Sequence, residues 1–559
     1  MDQASEIREK IDIVSFISEY LPLKKAGRNF KANCPFHNEK SASFMVSPER
    51  QIWHCFGCQK GGDAFTFLME YENMEFPEAL RALAKKAGVE LKSFNYDNQV
   101  QSEKEKIYSL NKQALKFYQY VLLKHNLGKK ALFYLKEKRG MSEKLIETFS
   151  LGFSPASGTA LSNYLISKKG YKKQDLYLAG LSFETGGRTV DFFRGRLMFP
   201  LSDHRGNIVG FSGRVLEDKL DVSKYVNTKE TPVYHKGSLF FGLDNAKEEI
   251  KKREQAILVE GEFDVIACYK EGIKNVVAIK GTALTENQVA LLSRFTSKIT
   301  LCLDQDDAGF EATKRSLPII EKKGLTTTIV VLTNGKDPDE VIKKDPNSFK
   351  KALKDDLGIY DYLIDKLTLE NDIQTANGKK KITDEVLPLL SQISNEVVKE
   401  HYLKKLSQAI DISLESLVKQ VDKLSTGQKN EEVSISARDK RKRREVVEEY
   451  LIALILQSEN LNAAFKKANE ILKDYKFEVS SFQKIMDFMI NALKSESRFD
   501  AKKISQGLPK ELLKSFDVCY LKPITPFASE EKYFEDLEKA ANELSEINFR
   551  EKKKAVLKN

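Results

Sequence analysis

Between residues 256 and 342, short apolar runs of strand length alternate with helix-length segments. The runs at 257–259, 276–279, 299–303 and 326–332 are aliphatic or β-branched, and turn residues punctuate the spaces between them. Strands with no polar alternation, joined by helices, predict a parallel sheet covered on both faces. Other stretches carry helical spacing: 12–23, ended by Pro22; 64–71; 76–88, with Pro77 near its start and Gly88 as its stop; 110–126; 129–139; 360–369; and 387–412. From 446 to 559 the pattern is helical throughout. Segments 194–201 and 208–214 flank a turn at 203–207 and predict a hairpin. Residues 95–106 and 425–436 are polar without periodicity and read as linkers. The expectation is a multidomain α+β chain. It has a small N-terminal domain at 1–95, a basic mixed segment at 107–250, an α/β segment at 251–345, a helical segment at 346–424 and an all-helical domain at 446–559.

Composition is consistent with this division. The 559 residues leave room for three to five domains at roughly 100–200 residues each. A net charge of +10 suits a polyanionic partner. No basic-then-apolar leader opens the chain, and no apolar run approaches the roughly 20 residues of a membrane span. The expectation is a cytoplasmic protein without membrane attachment. Of six cysteines, Cys268, Cys302 and Cys519 are scattered in apolar surroundings and read as buried thiols. The clustering of the other three speaks for a metal site in a reducing compartment, not a disulfide framework.

That cluster reads Cys34-Pro-Phe-His37, then seventeen residues, then Cys55-Phe-Gly-Cys58. Two knuckles, each with two residues between ligands, close a tetrahedral Cys₃His zinc site. Four protein ligands make it structural, and a domain this small needs such a staple. His54 is a competing ligand, awkward because Cys55 adjoins it. Around the site Lys24, Lys25, Arg28, Lys31, Lys40, Arg50 and Lys60 interleave with Phe30, Phe36, Phe44, Trp53 and Phe56. Cations beside aromatics suit single-stranded nucleic acid. The alternative is that the aromatics are the core of a thin ribbon. Phe44 and Phe56 read that way; Trp53 is left open and stands as a candidate nucleic-acid contact.

The α/β segment carries acids where its strands end: Glu260, and Asp304-Gln-Asp306-Asp-Ala-Gly309. In such sheets ligands bind beyond the carboxyl ends of the strands. Clustered carboxylates repel unless a cation or protons intervene, and all-oxygen donors favour Mg²⁺ or Mn²⁺. Asp304 and Asp306 share one side if the chain there is extended. Ala308 and Gly309 leave room for a phosphate or a close backbone. Asp264 lies one helical turn past Glu260. Asp337 suits a helix cap with Pro338 at the first position. The order of strand-end Glu, Asp-x-Asp and later Asp337-Pro-Asp339 resembles the Toprim domain of bacterial primases, topoisomerases and some nucleases. The resemblance implies that Glu260, Asp304 and Asp306 hold catalytic metal, with Asp264, Asp337 and Asp339 as supporting acids.

The hairpin carries Arg194, Arg196 and Arg214, followed by Lys224 and Lys236. Near a metal site these would hold phosphates, although each could equally belong to a solvated basic face. The basic run at 438–444 reads as a solvated helix start.

Ribbon, linker, basic segment, Toprim-like core and helical tail, in that order, resemble the bacterial DnaG-type DNA primases. Further matching pieces are Arg196-Leu-Met-Phe-Pro200, Gly210-Phe-Ser-Gly-Arg214 and Gly281-Thr-Ala-Leu284. The resemblance implies synthesis of short RNA primers from ribonucleoside triphosphates on single-stranded DNA. It implies template or triphosphate binding by Arg139, Arg196, Arg214, Lys224 and Lys236, start-site selection by the ribbon, and recruitment of the replicative helicase by the domain at 446–559. A monomer is expected. The competing readings are a Toprim nuclease or topoisomerase and a non-catalytic single-strand-binding adaptor. No Gly-x₄-Gly-Lys-Ser/Thr loop is present for a fused helicase.

Overall fold

The computed structural model describes residues 3–37, 39, 41–72, 74, 76–90, 103–217, 222–280, 283–428, 443–473, 475–495, 501–524 and 527–556. Lys40, Gly281, Thr282, residues 95–102 and 429–436 of the two expected linkers, and residues 438–442 of the basic run lie outside this set. The remainder of each linker is helical: the helix Glu103–Lys124 begins inside the first, and Leu414–Gln428 ends inside the second. Polarity alone predicts coil at both, but a helix with one buried stripe tolerates polar residues at its ends.

Two compact units emerge. One joins residues 1–95 with 434–559, and the other spans 96–433.

At the centre of the second unit is a six-stranded sheet. In spatial order its strands are Phe240–Phe241, Val276–Ile279, Ala256–Val259, Lys298–Leu301, Thr326–Ile329 and Leu357–Gly358. The four inner strands run parallel, and the two edge strands pair antiparallel. Both faces are covered, as the apolar runs predict. Ala256 and Leu258 pack into one core with Val277, Ile299 and Leu301. Ile257 and Val259 pack into another with Val276, Ala278 and Cys302. The first core continues into the helices Ile359–Glu370, Ala376–Ser391, Glu396–Ile410 and Leu414–Gln428. The stretch expected to be continuous from 387 to 412 is broken by Asn395, whose side chain caps the second helix.

The hairpin forms as read. Arg196–Ser202 pairs antiparallel with Ile208–Val215, and the sheet is completed by Gly152–Ser154 and Tyr225–Asn227. Asp203 closes the turn by accepting from the backbone of Arg205 and Asn207.

The other unit begins with a five-stranded antiparallel ribbon, Lys24–Ala26, Asn29–Ala32, Phe44–Ser47, Ile52–Cys55 and Gly61–Gly62. The helix expected over 12–23 is shorter, Ile13–Ser18, with Asp12 as its cap. Helices Ala64–Glu72 and Phe76–Ala87 follow, and Gly88 ends the second at φ +64°. Residues beyond 443 form six helices among the described residues, around a core of their own. Among the described residues no helix is long and apolar enough to cross a membrane.

Candidate active site and zinc centre

The two ribbon knuckles bring Cys34, His37, Cys55 and Cys58 together, with all four ligand atoms within 4.8 Å of one another. Cys34 Sγ lies 3.8 Å from Cys58 Sγ, and Cys55 Sγ lies 3.6 Å from His37 Nδ1. Tetrahedral zinc with bonds of about 2.3 Å to sulfur separates its ligands by roughly 3.8 Å, so these donors fit that ion. Proton sharing within the cluster is uneven. The hydrogen bond from Cys34, acting against burial, draws the Cys55 thiol well below the usual thiol range. His54 is buried on the strand beside the site and is not part of the cluster.

One support of this centre escapes the sequence reading. Glu39 Oε2 lies 3.2 Å from His37 Nε2, while its Oε1 accepts from the backbone N–H of Cys34 and Ser43. A carboxylate behind a metal-ligating imidazole fixes the ring's orientation. Its signal was an acid two residues after the ligand histidine. Gly57 fits the tight second knuckle, as its place between Cys55 and Cys58 suggests: a Cβ there would sit 2.2 Å from His37 Nε2, so only glycine lets the imidazole reach the ligand position.

Phe44 and Trp53, with the partly buried Phe30 and Phe36, form the ribbon core, whereas Phe56, expected there too, is half-buried against the His54 ring and is not part of it. Trp53 is 1% exposed, stacks on Phe44 with ring centroids 5.0 Å apart, and donates from Nε1 to Asp63 O at 3.0 Å. The structure therefore corrects the expectation of a base-stacking Trp53: in a thin ribbon the largest ring fills the interior, and no face of it is open to a base.

Glu260 directly follows its strand, and Asp304 lies three residues beyond the strand Lys298–Leu301. Glu260 Oε1 accepts from Asp304 N at 3.1 Å, tying two strand ends together. The backbone there is crowded: a Cβ on Gly309 would meet Asp304 O at 2.2 Å. The small residues thus admit a close backbone.

Asp306 is exposed and caps the helix Asp307–Lys322, accepting from Gly309 N at 2.8 Å. The chain from Asp304 to Asp306 lies beyond the strand, and Asp306 itself is extended at φ −125° and ψ 176°. Asp337 caps the helix Pro338–Lys344, with Pro338 at its start. Asp264 accepts from Gly261 N and from Asp339 N, joining the first acidic turn to the last.

A cleft of about 420 Å³ collects Glu260, Asp264, Asp304, Asp337 and Asp339 with Arg139, Arg214, Lys224 and Lys336. Burial, then the charges of Asp337 and Asp304, push the Asp264 carboxyl up to about 8. Burial, then Glu260, Asp337 and Asp306, push Asp304 up to about 7. Burial and Asp306 also raise Glu260. A group of carboxylates that holds protons near neutrality has the donor chemistry of a divalent-cation site.

The basic residues divide. Arg139 pairs with Asp339 and lies over Phe263 at 3.9 Å from the ring centroid. Arg214 donates to Tyr134 Oη and Val215 O, each at 2.9 Å, and lines the cleft with the exposed Lys224. Arg196 is 8% exposed and donates to the carbonyls of Gly213, Ser223 and Lys224. Its guanidinium therefore braces the sheet and is not presented to a phosphate. Arg194 and Lys236 are exposed and do not border the cleft.

One ion pair in the cleft wall was not anticipated. Lys280, next after the strand Val276–Ile279, is bonded to Glu262, and both side chains are at most 5% exposed. Lys280 Nζ also lies 3.2 Å from Ser212 Oγ on the hairpin. The clue in the sequence was a lone charge at the end of an apolar strand, the same clue that marks Glu260. Breaking a buried pair on one side costs about 3–5 kcal/mol, whereas replacing both partners by apolar groups is often neutral. Lys280→Met is expected to lower the thermal midpoint sharply, and Glu262→Met/Lys280→Met to recover most of it. Equal loss in both variants would mean that the pair's charge is not what matters.

Comparison with known proteins agrees with this arrangement. Family models match in the order CHC2 zinc finger (residues 1–99), DNA primase catalytic core N-terminal domain (117–247), Toprim-like (257–342) and DnaB-helicase binding domain of primase (360–415). The last falls on the helical segment that follows the Toprim-like part. A DNA primase of Listeria monocytogenes is 37% identical over 445 residues, 77% of this chain and 70% of the relative. One from Geobacillus stearothermophilus is 37% identical over 473 residues, 83% of this chain and 76% of the relative. The crystal structure of a DNA primase domain from Pseudomonas aeruginosa superposes with a TM-score of 0.51 at 33% identity, covering 56% of this chain and 99% of that one. With the Cys₃His ribbon and the acidic strand ends in their expected order, these matches place the chain in the bacterial DnaG-type DNA primase family, the nucleotidyltransferases that make short RNA primers on single-stranded DNA.

Proposed function

We propose that Glu260, Asp304 and Asp306 form the catalytic acid set of this primase, with Asp264, Asp337 and Asp339 supporting them. The observation that carries this reading is the Glu260–Asp304 link at the base of a cleft that gathers acids from three separate parts of the chain. Mg²⁺ or Mn²⁺ held there would stabilise charge on the reacting phosphates and lower the pKa of the attacking 3′-hydroxyl. Glu260 orients the Asp304 backbone. Asp264 ties the Gly261 turn to Asp339, keeping the two acidic loops in register. Arg139 and Arg214 are held over Phe263 at the cleft wall, where their charge favours a triphosphate or template phosphate. Lys224 adds an exposed cation at the rim.

The substrates in this reading are ribonucleoside triphosphates and a single-stranded DNA template, and the zinc in the ribbon is structural. The replicative helicase is the protein partner. The helical domain at 446–559 is proposed as its docking site on its place in the chain alone; the helicase-binding family match falls instead on residues 360–415, which are a second candidate for that contact. The enzyme works as a cytoplasmic monomer. The direct test is to offer unprimed single-stranded DNA, ribonucleotides and Mg²⁺ or Mn²⁺ and to look for short RNA. Cleavage of the DNA with metal alone would favour the nuclease reading.

A pH dependence follows from the acids. Asp264 and Asp304 are raised to about 8 and about 7, above an unfolded value near 3.9, so the folded state holds the extra protons between these values. Without metal, these groups make stability fall as pH rises from about 4 to 8. A divalent cation replaces the protons and relieves the repulsion. The rise in thermal midpoint on adding Mn²⁺ is therefore expected to be larger at pH 8 than at pH 6. A rise independent of pH would remove these two acids from the metal's surroundings.

A further inference from the structure

A five-stranded ribbon over one small core should leave its second face wet. Here it does not. Phe44 and Val46 point inward to the ribbon core, and their neighbours Met45 and Ser47 are 3% and 0% exposed. His54, paired across from Met45, is 5% exposed. The helix Lys510–Leu521 packs against these two strands and covers them. The contact is specific. Arg50, in the turn between the strands, donates to Asp517 Oδ1 at 2.8 Å and to Ser505 Oγ, and its guanidinium lies 5.5 Å from the Phe516 ring centroid. Tyr520 donates to Glu49, and Arg28 donates to the carbonyl of Gln457 at 2.9 Å.

We propose that the C-terminal helical domain is the ribbon's own docking partner, and that it competes with template phosphates for Arg50. This rests on the reading that the ribbon contacts single-stranded DNA. The chemistry is direct competition. Asp517 offers Arg50 a carboxylate where a phosphate would otherwise bind, and Phe516 lies near the guanidinium. The pair is partly desolvated, with side chains 16% and 24% exposed. Arg50 cannot hold Asp517 and a phosphate in the same geometry. Whatever lifts the helix Lys510–Leu521 away releases a phosphate-binding arginine on the ribbon.

The test uses the full zinc-loaded chain. Docking is read separately from DNA binding. In Arg50→Lys, a carbodiimide should form a zero-length amide crosslink to Asp517, mapped by mass spectrometry; its absence overturns the docking. Template affinity is read by fluorescence anisotropy of a labelled single-stranded oligonucleotide at several salt concentrations. Asp517→Asn should tighten binding and steepen the salt dependence by about 0.7 in the log–log slope, the value for one added phosphate contact on a single strand. Adding Arg50→Ala should cancel that gain. Tyr520→Phe, which loosens the same seam without touching Arg50, should act in the same direction as Asp517→Asn. An unchanged slope in both loosened variants, with the crosslink present, would overturn the competition. If Lys25→Ala/Lys31→Ala also left the affinity of Asp517→Asn unaltered, the ribbon would not be a DNA contact at all, and the underlying reading would fail while the docking stood.

Discussion

Asp304→Asn is expected to lower primer synthesis by about a thousandfold or more while template affinity stays within about twofold. The variant keeps the shape of the side chain and the backbone N–H that Glu260 holds at 3.1 Å, so the loop should survive. It removes one of the charges that a divalent cation needs. Metal-based stabilisation of transferring phosphates amounts to several kcal/mol, and each 1.36 kcal/mol is a factor of ten in rate. Apo-state stability should not fall, because Asp304 is crowded by Glu260, Asp337 and Asp306 and holds its proton up to about 7. A mutant that is inactive, DNA-competent and at least as stable without metal would separate the acid's role from any structural one. Full primer synthesis by this variant would take Asp304 out of the mechanism.

The second large effect concerns the ribbon. Cys55→Ala is expected to abolish zinc retention, from about one ion per chain to none, and to loosen the ribbon. Binding of structural zinc contributes roughly 10–16 kcal/mol of apparent free energy in small zinc domains. Cys55 is the last residue of the strand that carries Trp53, so the metal anchors the end of that strand. Trp53 is the chain's single tryptophan and is buried against Phe44, Phe36 and Phe67, which makes it a built-in reporter. Chelation of zinc from the wild-type chain, or Cys55→Ala, should shift its emission to the red. The ribbon also has an apolar core of its own around Phe44, Trp53 and Phe67. If emission did not move after zinc removal, that core alone would suffice, and the metal would serve only the knuckles.

Much of the architecture was legible because it is written in short-range order. Short apolar runs with no polar alternation, set between helix-length segments, suit strands covered on both sides, and Ile257 and Leu258 do point into two different cores. Ligand spacing in the knuckles depends on a few residues of backbone. The cap at Asp337, with Pro338 behind it, is likewise local. The same reasoning failed where a residue's fate depends on a distant neighbour. Polarity makes residues 103–106 and 425–428 look like linker, although the backbone of both belongs to a helix. Arg196 looked like a phosphate ligand because its carbonyl partners, Gly213 on the neighbouring strand and Ser223 and Lys224 before the next one, lie far along the chain. Trp53 looked available because a sequence does not say which side of a ribbon is inside.

The sequence by itself determined the zinc ligands, the order of acidic strand ends and the family to which the chain belongs, because each is a matter of residue type at fixed short spacing. Only the tertiary structure decided that Lys280 neutralises Glu262 and that Arg50 meets Asp517 across 467 positions of sequence. Those pairings are settled by burial: a charge withdrawn from water must find its counter-charge wherever the fold brings one, and no periodicity along the chain records where that is.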